Sequence, residues 1–182
     1  MIVVGILGSG GDAVLDIAKR AAARGARTEV VGAAPVGAAG DRLLLQLATE
    51  RVGHATVIRA GTATNPRERH EPVIEPADLD LAVRYLPDVC VLVMVAPDAS
   101  LLATAGAASA FAGAALIIIG PVDAGALDAI GASNPIVLDP PAHDPDGAFA
   151  GLVAALAARL DAGEAPGAAW QGTVASLAVD RA

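Results

Sequence analysis

The sequence predicts an α/β fold, in which a single-domain parallel sheet is sandwiched between helices on both faces. Three observations lead there. Short apolar runs such as Ile2 to Leu7, Val89 to Val95 and Leu116 to Ile119 alternate with longer stretches of helical spacing. Those runs are continuously apolar, as expected of strands buried on both sides in a parallel sheet. At 182 residues the chain is long enough for one proper core and too short for two comfortable domains.

The elements follow in order. Ile2 to Leu7 ends at glycines, and a helix over Asp12 to Arg24 stops at Gly25. Thr28 to Val31 is the next strand, Asp41 to Arg51 the next helix, and Ala55 to Ile58 is extended. Residues 61–76 are polar, contain Pro66, Pro72 and Pro76, and read as the main irregular connection. The second half continues with helix Ala77 to Tyr85, strand Val89 to Val95, helix Ala99 to Ala112 and strand Leu116 to Ile119. Helix Asp123 to Ile130, strand Ile136 to Leu138, helix Ala148 to Leu160 and a weak helix Gly167 to Ala178 complete the series.

Composition narrows the class. Apolar residues make up 54% of the chain but aromatics only 2%, so the core must be built of closely packed Ala, Val, Leu and Ile. Cys90 is the sole cysteine and lies in an apolar run, which predicts a buried, inert thiol in a reducing cytoplasm. No basic region precedes the first apolar run, so no secretory signal is expected. Leu101 to Val122 carries no charge and is long enough to consider as a membrane span. Gly106, Gly113, Gly120 and Pro121 divide it, however, into a buried helix and a β-branched strand. No membrane association is expected.

The net charge of −8 is uneven: ten of the twelve cations lie in residues 1–84, and residues 85–182 hold only Arg159 and Arg181 against ten acids. Nucleic acid binding needs clustered cations that release counterions. It is therefore not expected, and a polyphosphate approaching the second half would be repelled.

The segment from Pro135 to Gly151 joins a buried strand to a helix through a carboxylate-rich turn, a place where α/β proteins keep their chemistry. With Asp139, Ala148, Phe149 and Gly151 as its frame, it resembles the C-terminal signature of the ribokinase-like (PfkB) carbohydrate kinases. In that family the strand, Asp-Thr-Thr-Gly-Ala-Gly-Asp and the following helix form an anion hole and supply the catalytic base. Here the interior reads Ala142-His143-Asp144-Pro145-Asp146-Gly147, one residue longer.

Two further segments are similar to the family. Gly10-Gly11 with Asp16 and Ala18 resembles its Gly-Gly-x-x-x-Asn-x-Ala sugar-binding segment, and Val36-Gly37 with Gly40-Asp41 resembles Val-Gly-x-Asp-x-x-Gly-Asp. The resemblance implies a small sugar or nucleoside ligand held near Gly10, Gly11, Asp16, Gly40 and Asp41, with Gly147 beside a phosphate. It implies ATP and magnesium as cofactors, with Asp146, or Asp144, as the base.

The departures point the other way. The β-lid over the sugar is absent, the Thr-x-Gly strand end is missing, and the sole Asn-x-x-Glu, Asn65 to Glu68, falls in the irregular connection. Phosphoryl transfer rests on positioning and charge neutralisation, so these losses together predict a noncatalytic or impaired protein. It would be a small-molecule-binding or scaffold module. Asp146 can instead be an N-cap for the helix that follows. Asp139, His143 and Asp144 are a candidate divalent-cation set, although their spacing fits no defined metal loop.

One competing fingerprint remains. Gly8-Ser-Gly10-Gly-Asp-Ala13 after the first strand is also a Gly-x-Gly-x-x-Ala dinucleotide turn. The acidic residue expected at the end of the second strand is missing, and Asp12 would repel a phosphate. The same glycines also serve a tight strand-to-helix turn with no ligand. Loss of a lid, with so much apolar content in a small domain, predicts a homo-oligomer, most simply a homodimer.

Overall fold

A computed structural model describes residues 1–7, 13–60, 73–130 and 134–179. Strands β1 (Ile2–Ile6), β2 (Glu29–Pro35), β3 (Gly53–Ala60), β4 (Val91–Val95), β5 (Ala115–Ile119) and β6 (Ile136–Leu138) form one sheet in the order β3-β2-β1-β4-β5-β6. Every pairing is parallel. The intervening helices are α1 (Ala13–Ala23), α2 (Ala38–Thr49), α3 (Pro76–Tyr85), α4 (Ala99–Ala112), α5 (Ala124–Ala129), α6 (Ala148–Asp161) and α7 (Pro166–Val179).

The two-residue period of the strands divides the core in two. Val3, Val93 and Ile117 face a cluster with Ile17 of α1, Leu47 of α2, Val153 and Leu156 of α6 and Ala169 of α7. Their chain neighbours Ile2, Val4, Leu92, Met94 and Ile118 face the opposite cluster, with Leu79 of α3 and Leu102 and Ala105 of α4. Apolar residues on both sides of each strand are what the uninterrupted runs of the sequence supply.

Most elements lie where the sequence puts them, and α4 and β6 match residue for residue. β2 and β3 are longer than expected, because Gly32 to Pro35 and Arg59 to Ala60 extend the parallel pairing beyond the bulkier apolar residues. α2 begins three residues early, at Ala38. The uncharged stretch from Leu101 to Val122 is a helix and an interior strand, and among the described residues no helix is long and apolar enough to cross a membrane.

Cys90 departs from expectation. It is exposed, because β4 begins only at Val91. Val89 and Val91 turn inward on either side of it, and its thiol lies 3.6 Å from the Asp88 carbonyl.

Candidate functional site

β1 leads through α1 to β2 on one side, whereas β4, on its other side, leads through α4 to β5. α1 and α4 pack on opposite faces of the sheet, so a crevice opens between them beyond the carboxyl ends of β1 and β4. A cleft of about 530 Å³ lies beside it, on the α1 and α6 side of the sheet over the carboxyl ends of β4 and β5, within the size range of small-molecule sites. Its walls are Ala13, Asp16 and Ile17 of α1, the ends of β4 and β5, the turn from Pro140 to Pro145, and Phe149 and Ala150 of α6. They are mainly apolar, with Asp16, His143 and Asp144 as the charged or titratable groups.

The turn before α6 sets the chemistry. Pro145 and Asp146 occupy a tight turn closed by the Gly147 amide donating to the Asp144 carbonyl at 3.1 Å. Gly147 then takes a left-handed conformation, with φ of 64°. That reversal swings the Asp144 side chain over the start of the helix. The Phe149 amide donates to both of its carboxylate oxygens at 3.1 Å, and the Ala150 amide donates to Oδ2 at 3.2 Å.

Partial burial pushes the Asp144 carboxyl upward. The Phe149, Ala150 and Ala148 amides and the nearby Arg20 charge outweigh it and hold the group below its usual range. The first-turn amides of α6, which a helix offers to an anion, are thus taken by the chain's own carboxylate.

The cap therefore differs from the sequence expectation. Asp146 makes no cap hydrogen bond, because the extra residue in the turn leaves it exposed, and Asp144 fills the role from three residues before Gly147. Among the described residues the Asp146 main chain is engaged, its carbonyl accepting from Arg20 Nη2 at 3.2 Å. Arg20 was not singled out in the sequence. Its position one turn after Asp16 on α1 is the signal that could have found it.

The same sheet edge repeats the device. Asp98 caps α4 by accepting from the Leu101 amide at 2.8 Å, and Asp123 caps α5 by accepting from the Ala126 amide at 2.7 Å. The Leu101 amide and the Ser100 hydroxyl hold the Asp98 carboxyl below its ordinary value. Ala96, at the end of β4, has φ of 48°, an uncommon conformation for a residue with a side chain, and it lines the cleft.

The other candidates are dispersed. Asp16 lies on the cleft wall, while Gly10 and Gly11 fall outside the described residues, as do Asn65 and Glu68. Gly40 is buried in the first turn of α2, where a Cβ would run into the Pro35 carbonyl, so packing alone demands glycine. Asp41 is exposed and pairs with Arg59 at 2.7 Å. Neither Gly40 nor Asp41 lines the cleft.

Asp139 is exposed at the end of β6, outside the cleft lining. Among the described residues no group of three or more His, Cys, Asp or Glu side chains could hold a metal ion, so Asp139, His143 and Asp144 do not converge as a ligand set.

No family model and no curated protein matches the sequence. Solved structures do match the fold. A PfkB protein from Polaromonas sp. JS666 superposes with a TM-score of 0.61 at 14% identity, covering 94% of this chain and 92% of that one. An Escherichia coli protein assigned as ribokinase II, in its apo form, gives 0.64 at 11%, covering 94% and 89%. The tetrameric inhibited form of phosphofructokinase-2 from Escherichia coli gives 0.60 at 14%, covering 96% and 91%. At these identities the fold is what is shared, and the chain has the ribokinase-like α/β fold that its PfkB-like motifs imply.

Proposed function

We propose that this chain is a one-domain, catalytically impaired ribokinase-like protein that binds a small uncharged molecule, of the sugar or nucleoside class, in the cleft over the ends of β4 and β5, and that it works as a homo-oligomer. One observation carries the reading: the Asp144 carboxylate accepts from the Phe149 and Ala150 amides. A phosphate offered to the α6 N-terminus would have to displace a carboxylate already held there and approach its negative charge.

ATP and magnesium, implied by the fold, do not fit this donor set. The amides that would receive a phosphate are satisfied, and among the described residues no acidic group gathers to hold a cation. The mainly apolar walls suit a neutral ligand oriented by a few polar groups, with Asp16 as one acceptor.

A second reading has one observation in its favour. Asp146 is exposed and free of the helix cap, as an active kinase using it as a base would need. An assay of ADP release with magnesium-ATP and a panel of sugars and nucleosides separates the two readings. We expect no turnover above the protein-free control. Turnover abolished by Asp146→Asn would establish the kinase instead.

A further inference from the structure

The outer surface of α3 and α4 combines an apolar groove with two highly exposed aromatic rings. α4 has no charged residue along its 14 positions, and its exposed side carries Ala99, Ala103, Ala107 and Ala110. Between the two helices runs a groove of about 570 Å³, walled by Asp80, Val83 and Arg84 on one side and Thr104 and Ala107 on the other. Phe111 stands at its edge and is 77% exposed.

Ala77, Leu81 and Tyr85 continue the surface at four-residue spacing along α3, with Tyr85 78% exposed. The whole chain has only four aromatic residues, so two of its four rings are spent on solvent at this one face. Exposed aromatics beside an apolar groove are the usual anchors of an interface.

We infer that the α3–α4 face is the interface of a two-fold homodimer, in which Phe111 of each copy enters the groove of the other. This rests on the self-association proposed above and assigns its surface. Three features select a second copy as the occupant. A protruding ring and a recess lie on the same face, as a self-complementary two-fold contact requires.

The groove wall also carries one acid and one cation, Asp80 and Arg84, paired at 2.9 Å while both remain at least half exposed. A two-fold axis passing between them sets Asp80 of each copy against Arg84 of the other, and an exposed pair gives up little when it exchanges partners. Finally, the chain carries a charge of −8, so two copies repel in general. The groove itself, walled by one acid and one cation, allows contact there without adding to that repulsion.

The test is light scattering on the intact chain with three exposed-site variants, Phe111→Glu, Asp80→Arg and Arg84→Asp. The wild type should have twice the chain mass, and Phe111→Glu should weaken the dimer at least about tenfold while leaving the melting temperature of the dilute protein unchanged. Asp80→Arg and Arg84→Asp should each be monomeric alone and form a mixed dimer when combined. A monomeric wild type would remove self-association and this interface together. A dimer that survives Phe111→Glu would keep self-association and overturn this surface, and charge variants that fail to pair on mixing would overturn the reciprocal contact.

Discussion

Asp144 carries most of the argument at the scale of single residues, because its carboxylate does what a bound anion would do at the start of α6. Asp144→Ala should destabilise the fold by about 0.5–2 kcal/mol, and Asp144→Ser, which keeps an acceptor, should recover part of that loss. Asp146→Ala should stay within about 0.5 kcal/mol of wild type, as an exposed side chain without a structural bond should. Denaturant melts of the three variants rank them.

The pH dependence has a definite sign. The Asp144 carboxyl titrates below its ordinary value of 3.8 in the folded state, so the unfolded chain takes up its proton first. Its contribution to stability is complete above the unfolded value and is lost as the pH falls through the lower folded one. Asp144→Asn should therefore flatten the acid limb of the stability curve, whereas Asp146→Asn should not. Equal acid limbs in all three proteins would contradict the cap.

At the scale of elements, the link between β6 and α6 depends on Gly147, whose φ of 64° is costly for any residue with a side chain. A Cβ there would also enter the space of the Arg20 guanidinium. Gly147→Ala should cost about 1–2 kcal/mol from the backbone alone, with a further steric share. In an Arg20→Ala background the steric share should vanish, giving a coupling above about 0.5 kcal/mol in a double-mutant cycle of melts. Additive losses would show that the guanidinium does not pack there.

The elements also show what could be read in advance. α4 and β6 were legible to the residue, since Asp98 and Gly113 bound the one and Pro135 and Asp139 the other. The cap was not. Which aspartate reaches the helix depends on the Asp144 to Gly147 turn and on a left-handed glycine, and linear proximity favours the wrong one. Cys90 misleads for a similar reason, because it sits within the apolar run but falls just outside the strand. Arg20 escaped notice because its partner lies 126 residues away.

For the whole molecule, the fold was legible in the alternation of apolar runs and helices, whereas the sheet order, with its switch between β1 and β4, comes from the structure. The cleft lies beside the switch point, over the ends of β4 and β5, and the chemistry inside it depends on the turn before α6. Three aspartates cap helices along this edge, so three of the ten acids of the second half have a structural role there. They place carboxylates along the carboxyl edge of a fold shared with a phosphofructokinase.

The most direct test of that account is a calorimetric titration of the wild-type chain with magnesium-ATP. The account predicts no saturable heat in the micromolar range. Micromolar, saturable binding would contradict it, because it would mean that the nucleotide is accommodated despite the Asp144 carboxylate at the α6 N-terminus.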